Sequence, residues 1–130
     1  MCDIALGLQE AGLKEFAESV GGSYMSQWEE LGLYDEDVEG WGQAFEQAMQ
    51  RTLEAGGRVH FNLTGIDIAV ALSGDPNYWV DRHAAWELQQ IIATQTWYRS
   101  TIFYLDGCRL DSKQLRQLNI SLETDSATGE

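Results

Sequence analysis

Apolar and polar residues alternate in "RVHFNLTG", residues 58–65, and this alternation predicts a β-strand. The apolar positions are Val59, Phe61 and Leu63; the positions between them are polar, and Gly65 ends the pattern. Because side chains alternate between the two faces of a strand, we expect the apolar face in the core and the polar face on a surface or a cleft.

Apolar residues spaced three or four apart predict helices over residues 4–19, 37–55 and 82–93, with Asp3, Asp35 or Asp37, and Asp81 as capping residues. The run "STIFYL", residues 100–105, is β-branched and aromatic, which favours a second strand. The remaining predictions are an extended piece at 23–28, a helical piece at 66–72, a loop at 73–79, a hairpin turn at Asp106-Gly107 and a short helix at 111–119.

Strands separated by helices predict a small, mostly parallel sheet with βαβ crossovers flanked by helices, hence an α/β fold. Two helices precede the sheet, and a hairpin with a short helix ends it. Residues 1–120 are predicted to form a single α/β domain, and residues 121–130 a flexible acidic C-terminal tail. The expected core residues are Trp41, Phe45, Phe61, Leu63, Leu88, Ile92, Ile102 and Tyr104.

The net charge of the chain excludes some classes of binding partner. The 130-residue chain has a formal net charge of −13. Direct binding to nucleic acid is therefore not expected, because phosphate groups are bound by Lys and Arg, and neither is adhesion to an anionic membrane. Residues 29–39 hold six carboxylates, and a basic protein partner could bind them; a solvated acidic face would have the same composition. The candidate partner-binding residues are Glu29, Glu30, Asp35, Glu36, Asp37 and Glu39.

Two groups of polar residues are candidates for catalysis. His60, Asn62 and Thr64 share one face of the predicted strand, near the carboxyl end where α/β sheets usually bind ligands. His83 and Glu87 lie one turn apart on a predicted helix, so they could share a proton. A strand with one wet face and a solvated helix face would produce the same two patterns. We expect a cleft between strand and helix that joins the five residues.

No motif indicates a cofactor, and HxxxE alone does not make a metal site, so neither is predicted. Cys2 and Cys108 permit one disulfide without requiring it. No apolar run is long enough to span a membrane, and the N-terminus lacks the basic segment of a signal peptide. The chain is expected to be cytoplasmic as expressed, or exported as part of a larger protein.

The segment "VHFNLTGIDIAVALSGDP…AAWELQQII…TWYRSTIFYLDG" resembles C-terminal modules of bacterial polymorphic toxins of the Rhs and filamentous-haemagglutinin types. The upstream "LKEFAESVGGSYMSQW" fits the lead-in to such modules, so the resemblance covers most of residues 13–110. It implies an effector with a cognate immunity protein, and the acidity of the chain points away from nuclease activity.

Two functions remain open at the level of the sequence. The first is an effector-like module that acts on a small molecule or a host protein. The second is a non-enzymatic acidic binding protein, such as an immunity protein, an inhibitor or a nucleic-acid mimic, that engages a basic partner through residues 29–39. The sequence does not decide whether the protein is an enzyme.

Overall fold

A four-stranded sheet forms the centre of the protein in a computed structural model that describes residues 3–80 and 82–120. The strands lie in chain order, with β1 parallel to β2, β2 parallel to β3, and β4 antiparallel to β3. They are β1 (Ile4–Leu6), β2 (Val59–Asn62), β3 (Thr101–Leu105) and β4 (Cys108–Arg109). The prediction of an α/β fold with a mostly parallel sheet is confirmed.

Eight α-helices and one turn of 3-10 helix, Gln9–Ala11, surround the sheet in the described part of the chain. The helices are α1 (Leu13–Val20), α2 (Met25–Trp28), α3 (Trp41–Glu54), α4 (Ile68–Leu72), α5 (Pro76–Val80), α6 (His83–Ala93), α7 (Gln95–Arg99) and α8 (Ser112–Gln117). The helices predicted over 37–55, 82–93 and 111–119 are present with shorter bounds as α3, α6 and α8.

The two faces of the sheet are covered unequally. Ile4, Val59 and Phe61 belong to the main apolar core, to which α3 and α6 contribute buried side chains. Ala5 packs on the other face with α1, in a smaller cluster that includes Leu13. Because His60 pairs in register with Ala5, its side chain lies on the α1 face.

The N-terminal segment differs from its prediction. Ile4–Leu6 forms strand β1 rather than the first turn of a helix over 4–19, and the helix begins only at Leu13. All three β1 residues are buried, and they pair with Val59–Phe61 far along the chain. A segment of three apolar residues has no period of its own, so only this long-range pairing decides its structure.

Three local predictions are also wrong. Residues 23–28 contain helix α2 instead of an extended piece, and the expected loop at 73–79 contains helix α5, which begins at Pro76. Proline is well tolerated at the first helical position because no partner is needed for its missing N–H. Neither Asp35 nor Asp37 caps α3, whose N-cap is Gly40. The predicted cap Asp81, the Cys2 of the permitted disulfide and the predicted tail, residues 121–130, lie outside the described residues.

The hairpin turn and the final helix are present where the sequence predicts them. Asp106 and Gly107 have φ angles of 51° and 82°, the left-handed conformations that a two-residue turn of this kind needs. Asp111 caps α8 by accepting a hydrogen bond from the Gln114 backbone N–H at 2.8 Å.

Five of the eight expected core residues are buried: Phe45, Phe61, Leu63, Leu88 and Ile92. Trp41, Ile102 and Tyr104 are only partly buried. Ile102 and Tyr104 lie on the α1 face, where one eight-residue helix leaves part of the sheet uncovered. Trp41 begins α3 and stacks on the exposed ring of His83.

Candidate functional site

A cavity of about 310 Å³ lies where β1 ends. Its walls come from the chain that leaves β1 and from the start of α6, with Met25 and Trp28 of α2 also lining it. The carboxyl ends of parallel strands are the usual ligand-binding edge of open α/β sheets. The volume is at the lower end of the range of roughly 300–1,000 Å³ that is typical of small-molecule sites.

Gly7 shapes the first wall of this cavity. A Cβ atom at this position would lie 3.1 Å from the backbone oxygen of Asn62, and the φ angle of Gly7 is 152°. Only glycine fits both the close approach to β2 and this backbone conformation. The chain can therefore leave the sheet directly after Leu6 and place Leu8 and the 3-10 turn along the cavity.

Glu87 is the buried charged residue of the cavity. It lies one turn into α6, it is 4% exposed, and it lines the cavity. No hydrogen bond or ion pair joins its carboxyl group to any other residue of 3–80 or 82–120. Burial raises the pKa of Glu87 from its usual value of 4.5 to about 8. At neutral pH the group therefore holds a proton that it can donate.

His83 lines the same cavity as Glu87, so the structure brings these two predicted residues together. The His83 ring is stacked on Trp41, with 3.8 Å between centroids and 10° between planes. The guanidinium of Arg82, which also lines the cavity, lies 4.6 Å from the centre of the Tyr78 ring, a cation–π distance. Aromatic contacts thus hold both side chains at the start of α6.

His60 belongs to a separate polar cluster on the α1 face of the sheet. Its Nε2 atom is 2.8 Å from Oδ2 of Asp3, and its Nδ1 atom is 3.0 Å from the hydroxyl oxygen of Tyr104. Asp3 also accepts a hydrogen bond from the backbone N–H of Arg58 at 3.0 Å. Partial burial opposes ionisation of Asp3, but the hydrogen bonds and charges of His60 and Arg58 outweigh it and lower the pKa of Asp3.

This cluster joins β2, β3 and the residue that precedes β1 through polar side chains. Tyr104 is fixed further by an edge-to-face contact with Phe16 of α1, with 5.0 Å between ring centroids. Asp3 and Tyr104 were not predicted as partners of His60, because the sequence pattern favours a helix cap at Asp3 and a core position for Tyr104. The register of the two strands places His60 beside Ile102 and Asn62 beside Tyr104, so His60 and Tyr104 share one face of the sheet.

Neither Asn62 nor Thr64 lines the cavity: the Asn62 side chain bonds to Thr64, and Thr64 bonds to the hairpin. The side-chain oxygen of Asn62 accepts a hydrogen bond from the Thr64 N–H at 3.2 Å, and the Thr64 hydroxyl accepts one from the Asp106 N–H at 2.8 Å. The single cleft expected for the five candidate residues is therefore not formed in the described part of the chain. His83 and Glu87 line the cavity; His60, Asn62 and Thr64 do not.

The acidic segment 29–39 lies between α2 and α3, and all six of its carboxylate side chains are exposed. Asp35 forms an ion pair of 2.6 Å with Arg51 of α3. The side chain of Gln47 accepts a hydrogen bond from the Asp35 backbone N–H at 2.9 Å. Leu31, in the same segment, is 60% exposed. The segment is thus anchored on α3 while its charges face solvent.

Among residues 3–80 and 82–120, no three His, Cys, Asp or Glu side chains are grouped so that they could hold a metal ion. Within the same ranges, no helix has the length and apolar character needed to cross a membrane. Comparison with known proteins gave no matching family model, no matching curated protein and no matching solved structure. The resemblance to polymorphic-toxin modules therefore rests on sequence motifs alone.

Proposed function

We propose that this chain is a bacterial effector-like module, of the polymorphic-toxin kind that its sequence resembles, and that it acts on a small molecule or a host protein rather than on nucleic acid. The observation that carries the proposal is the cavity beside β1 with the buried carboxyl group of Glu87. A strongly perturbed acid in a cavity is a recognised mark of a functional site.

The chemistry of this site would be proton transfer. General acid–base catalysis works best when the pKa of the catalytic group lies near the working pH, and burial raises the pKa of Glu87 to about 8. His83 lines the same cavity and could supply a second group. We assign His60, Asn62 and Thr64 to positioning. His60 bonds to Asp3 and Tyr104, and Thr64 bonds to Asp106 of the hairpin. The Asn62 side chain bonds to the backbone N–H of Thr64.

The fold supports this role. Helices follow β1 and β2, and the cavity lies at the carboxyl end of a parallel strand. In this proposal the chain acts in the cytoplasm or is exported as part of a larger protein. Its protein partner would be a cognate immunity protein that binds the effector.

The test is controlled expression in a bacterial host. The wild-type chain is expected to arrest growth, and Glu87→Gln should abolish the arrest because it removes the transferable proton and keeps the shape. Glu46→Gln, the same change at an exposed position of α3, should arrest growth like the wild type. Equal growth of uninduced and wild-type-expressing cells, with soluble folded protein present, would contradict the proposal.

A second candidate function is supported by the exposure of the acidic segment. An immunity protein, inhibitor or nucleic-acid mimic would present carboxylates such as Glu30, Glu36 and Asp37 to a basic partner. Within the described residues, Asp35 is the one carboxylate of this segment with an ion-pair partner, so the others are available.

Binding to immobilised polylysine can show whether the protein binds through a local acidic face or only through its total negative charge. A triple variant, Glu30→Gln, Glu36→Gln and Asp37→Asn, is compared with a control that neutralises Glu10, Glu15 and Glu18, which are exposed elsewhere. If residues 29–39 form the face, the triple variant elutes at lower salt than the control. Equal elution of the two variants would show that only net charge matters.

A further inference from the structure

The cavity beside β1 has an apolar wall and an unpaired acid. Leu6, Leu8, Leu13 and Met25 give the wall its apolar character. Glu87 faces the same space, and no cationic side chain among the described residues pairs with it. A buried carboxylate without a partner is strongly disfavoured, so this group either keeps its proton or receives a positive charge from a ligand.

The other charged and titratable groups of the cavity are Glu10 from the 3-10 turn and Arg82 and His83 from the start of α6. Met25 and Trp28 from α2, and Leu6 from β1, bring no charge. The Arg82 guanidinium is held over the ring of Tyr78. A carboxylate or phosphate ligand would meet the negative charge of Glu10 and would oppose ionisation of Glu87. The Arg82 guanidinium, which could attract such a ligand, already contacts the Tyr78 ring.

We propose that the cavity binds a small primary amine with an apolar body, whose ammonium group pairs with the carboxylate of Glu87. This inference rests on the proposed function, since it names the ligand class of the same site. The apolar body of the ligand would contact Leu6, Leu8 and Leu13, which removes its surface from water. The volume of about 310 Å³ limits the ligand to a small molecule.

Binding has a proton balance that can be measured. Below pH 8 the carboxyl group of Glu87 is protonated in the empty cavity, and the amine in solution is an ammonium ion. Pairing requires an ionised carboxylate, so Glu87 releases its proton to the buffer, and no other bond is made or broken. Affinity should rise roughly 50-fold from pH 6 to pH 8 and level off above that, as the ionised fraction of Glu87 does.

Three probes of equal length test the proposal: hexylamine, hexanol and hexanoate, titrated by calorimetry at pH 7. Hexylamine is expected to bind at least tenfold more tightly than the other two. Its apparent heat should differ between phosphate and Tris buffers by the amount that corresponds to nearly one released proton. This proton count uses the wild-type protein and does not depend on the folding of any variant.

Variants complete the experiment. Glu87→Gln should weaken hexylamine binding at least tenfold, whereas Glu46→Gln should bind like the wild type. The pH dependence of hexylamine affinity is also measured for His83→Gln, which shows how much of it comes from the histidine. The proposal is overturned if hexanoate binds more tightly than hexylamine, if hexylamine does not bind, or if Glu87→Gln binds it unchanged.

The outcomes are distinct from those of the growth assay. If the amine binds through Glu87 but growth is not arrested, the proposed effector function is wrong and the proposed ligand class stands. If growth arrest depends on Glu87 but no amine binds, only the proposed ligand class is wrong.

Discussion

Replacing Glu87 by Gln should stabilise the protein, and the gain should depend on pH. Gln has nearly the shape of a protonated Glu but cannot ionise. In the folded protein burial raises the pKa of Glu87 from 4.5 to about 8, so between these values the folded state binds more protons than the unfolded state. The wild-type protein therefore loses stability as pH rises from 4.5 to 8, and the variant lacks this loss.

The magnitude follows from the two pKa values. Each tenfold change in proton affinity corresponds to about 1.4 kcal/mol. Between the usual pKa of 4.5 and the raised pKa of about 8, the effect is on the order of 5 kcal/mol at pH 9 and about 3 kcal/mol at pH 7. These are upper values, because water that enters the cavity would solvate the carboxylate. At pH 4 and below the two proteins should differ by less than about 1 kcal/mol.

Urea unfolding followed by tryptophan fluorescence measures this difference. Wild type, Glu87→Gln and the exposed control Glu46→Gln are unfolded at pH 4, 7 and 9, and free energies of unfolding are compared. The control should follow the wild-type curve at each pH. A difference between Glu87→Gln and wild type that stays constant from pH 4 to pH 9 would refute the assignment of a raised pKa to Glu87.

Three further outcomes are expected. Leu88→Ala, at a fully buried position of α6, should lower the free energy of unfolding by about 2–5 kcal/mol, and a near-wild-type melting temperature would remove α6 from the core. The pKa of Asp3 is lowered in the folded state, so its contribution to stability is present above pH 4 and lost as pH falls below; Asp3→Asn should therefore show a weaker acid dependence in acid-unfolding curves than wild type. The triple variant of the acidic segment should unfold at the same or a slightly higher urea concentration than wild type, because like charges repel, and a clear loss of stability would show that these carboxylates support the fold.

Much of the fold could be predicted because its signals are local. The alternation in residues 58–64 and the spacing of Ala85, Leu88 and Ile92 identify β2 and α6 without help from the rest of the chain. The turn at Asp106 and Gly107 fixes the hairpin in the same way, since few residues adopt its φ angles.

The cavity could not be predicted because it depends on β1. With Ile4–Leu6 predicted as helix, no strand end is expected at this position. The cavity wall that Gly7 and Leu8 form after β1 is then not expected either. Glu87 was recognised from its spacing to His83. Its burial was not, because a carboxylate on a polar-looking helix face is normally solvated.

The two predicted groups that contain a histidine lie in different environments, and their hydrogen bonding differs. Both ring nitrogens of His60 have partners, which is the usual condition of a buried polar group that supports a fold. The Thr52 hydroxyl has no hydrogen-bond partner among the residues that the structure describes, yet an unpaired uncharged hydroxyl costs only about 1–3 kcal/mol. Glu87 differs from both, since it is ionisable, buried and unpaired among the described residues, and it faces a cavity. A fold gains no stability from such a group, so the ligand or proton that it holds is the better explanation of its presence.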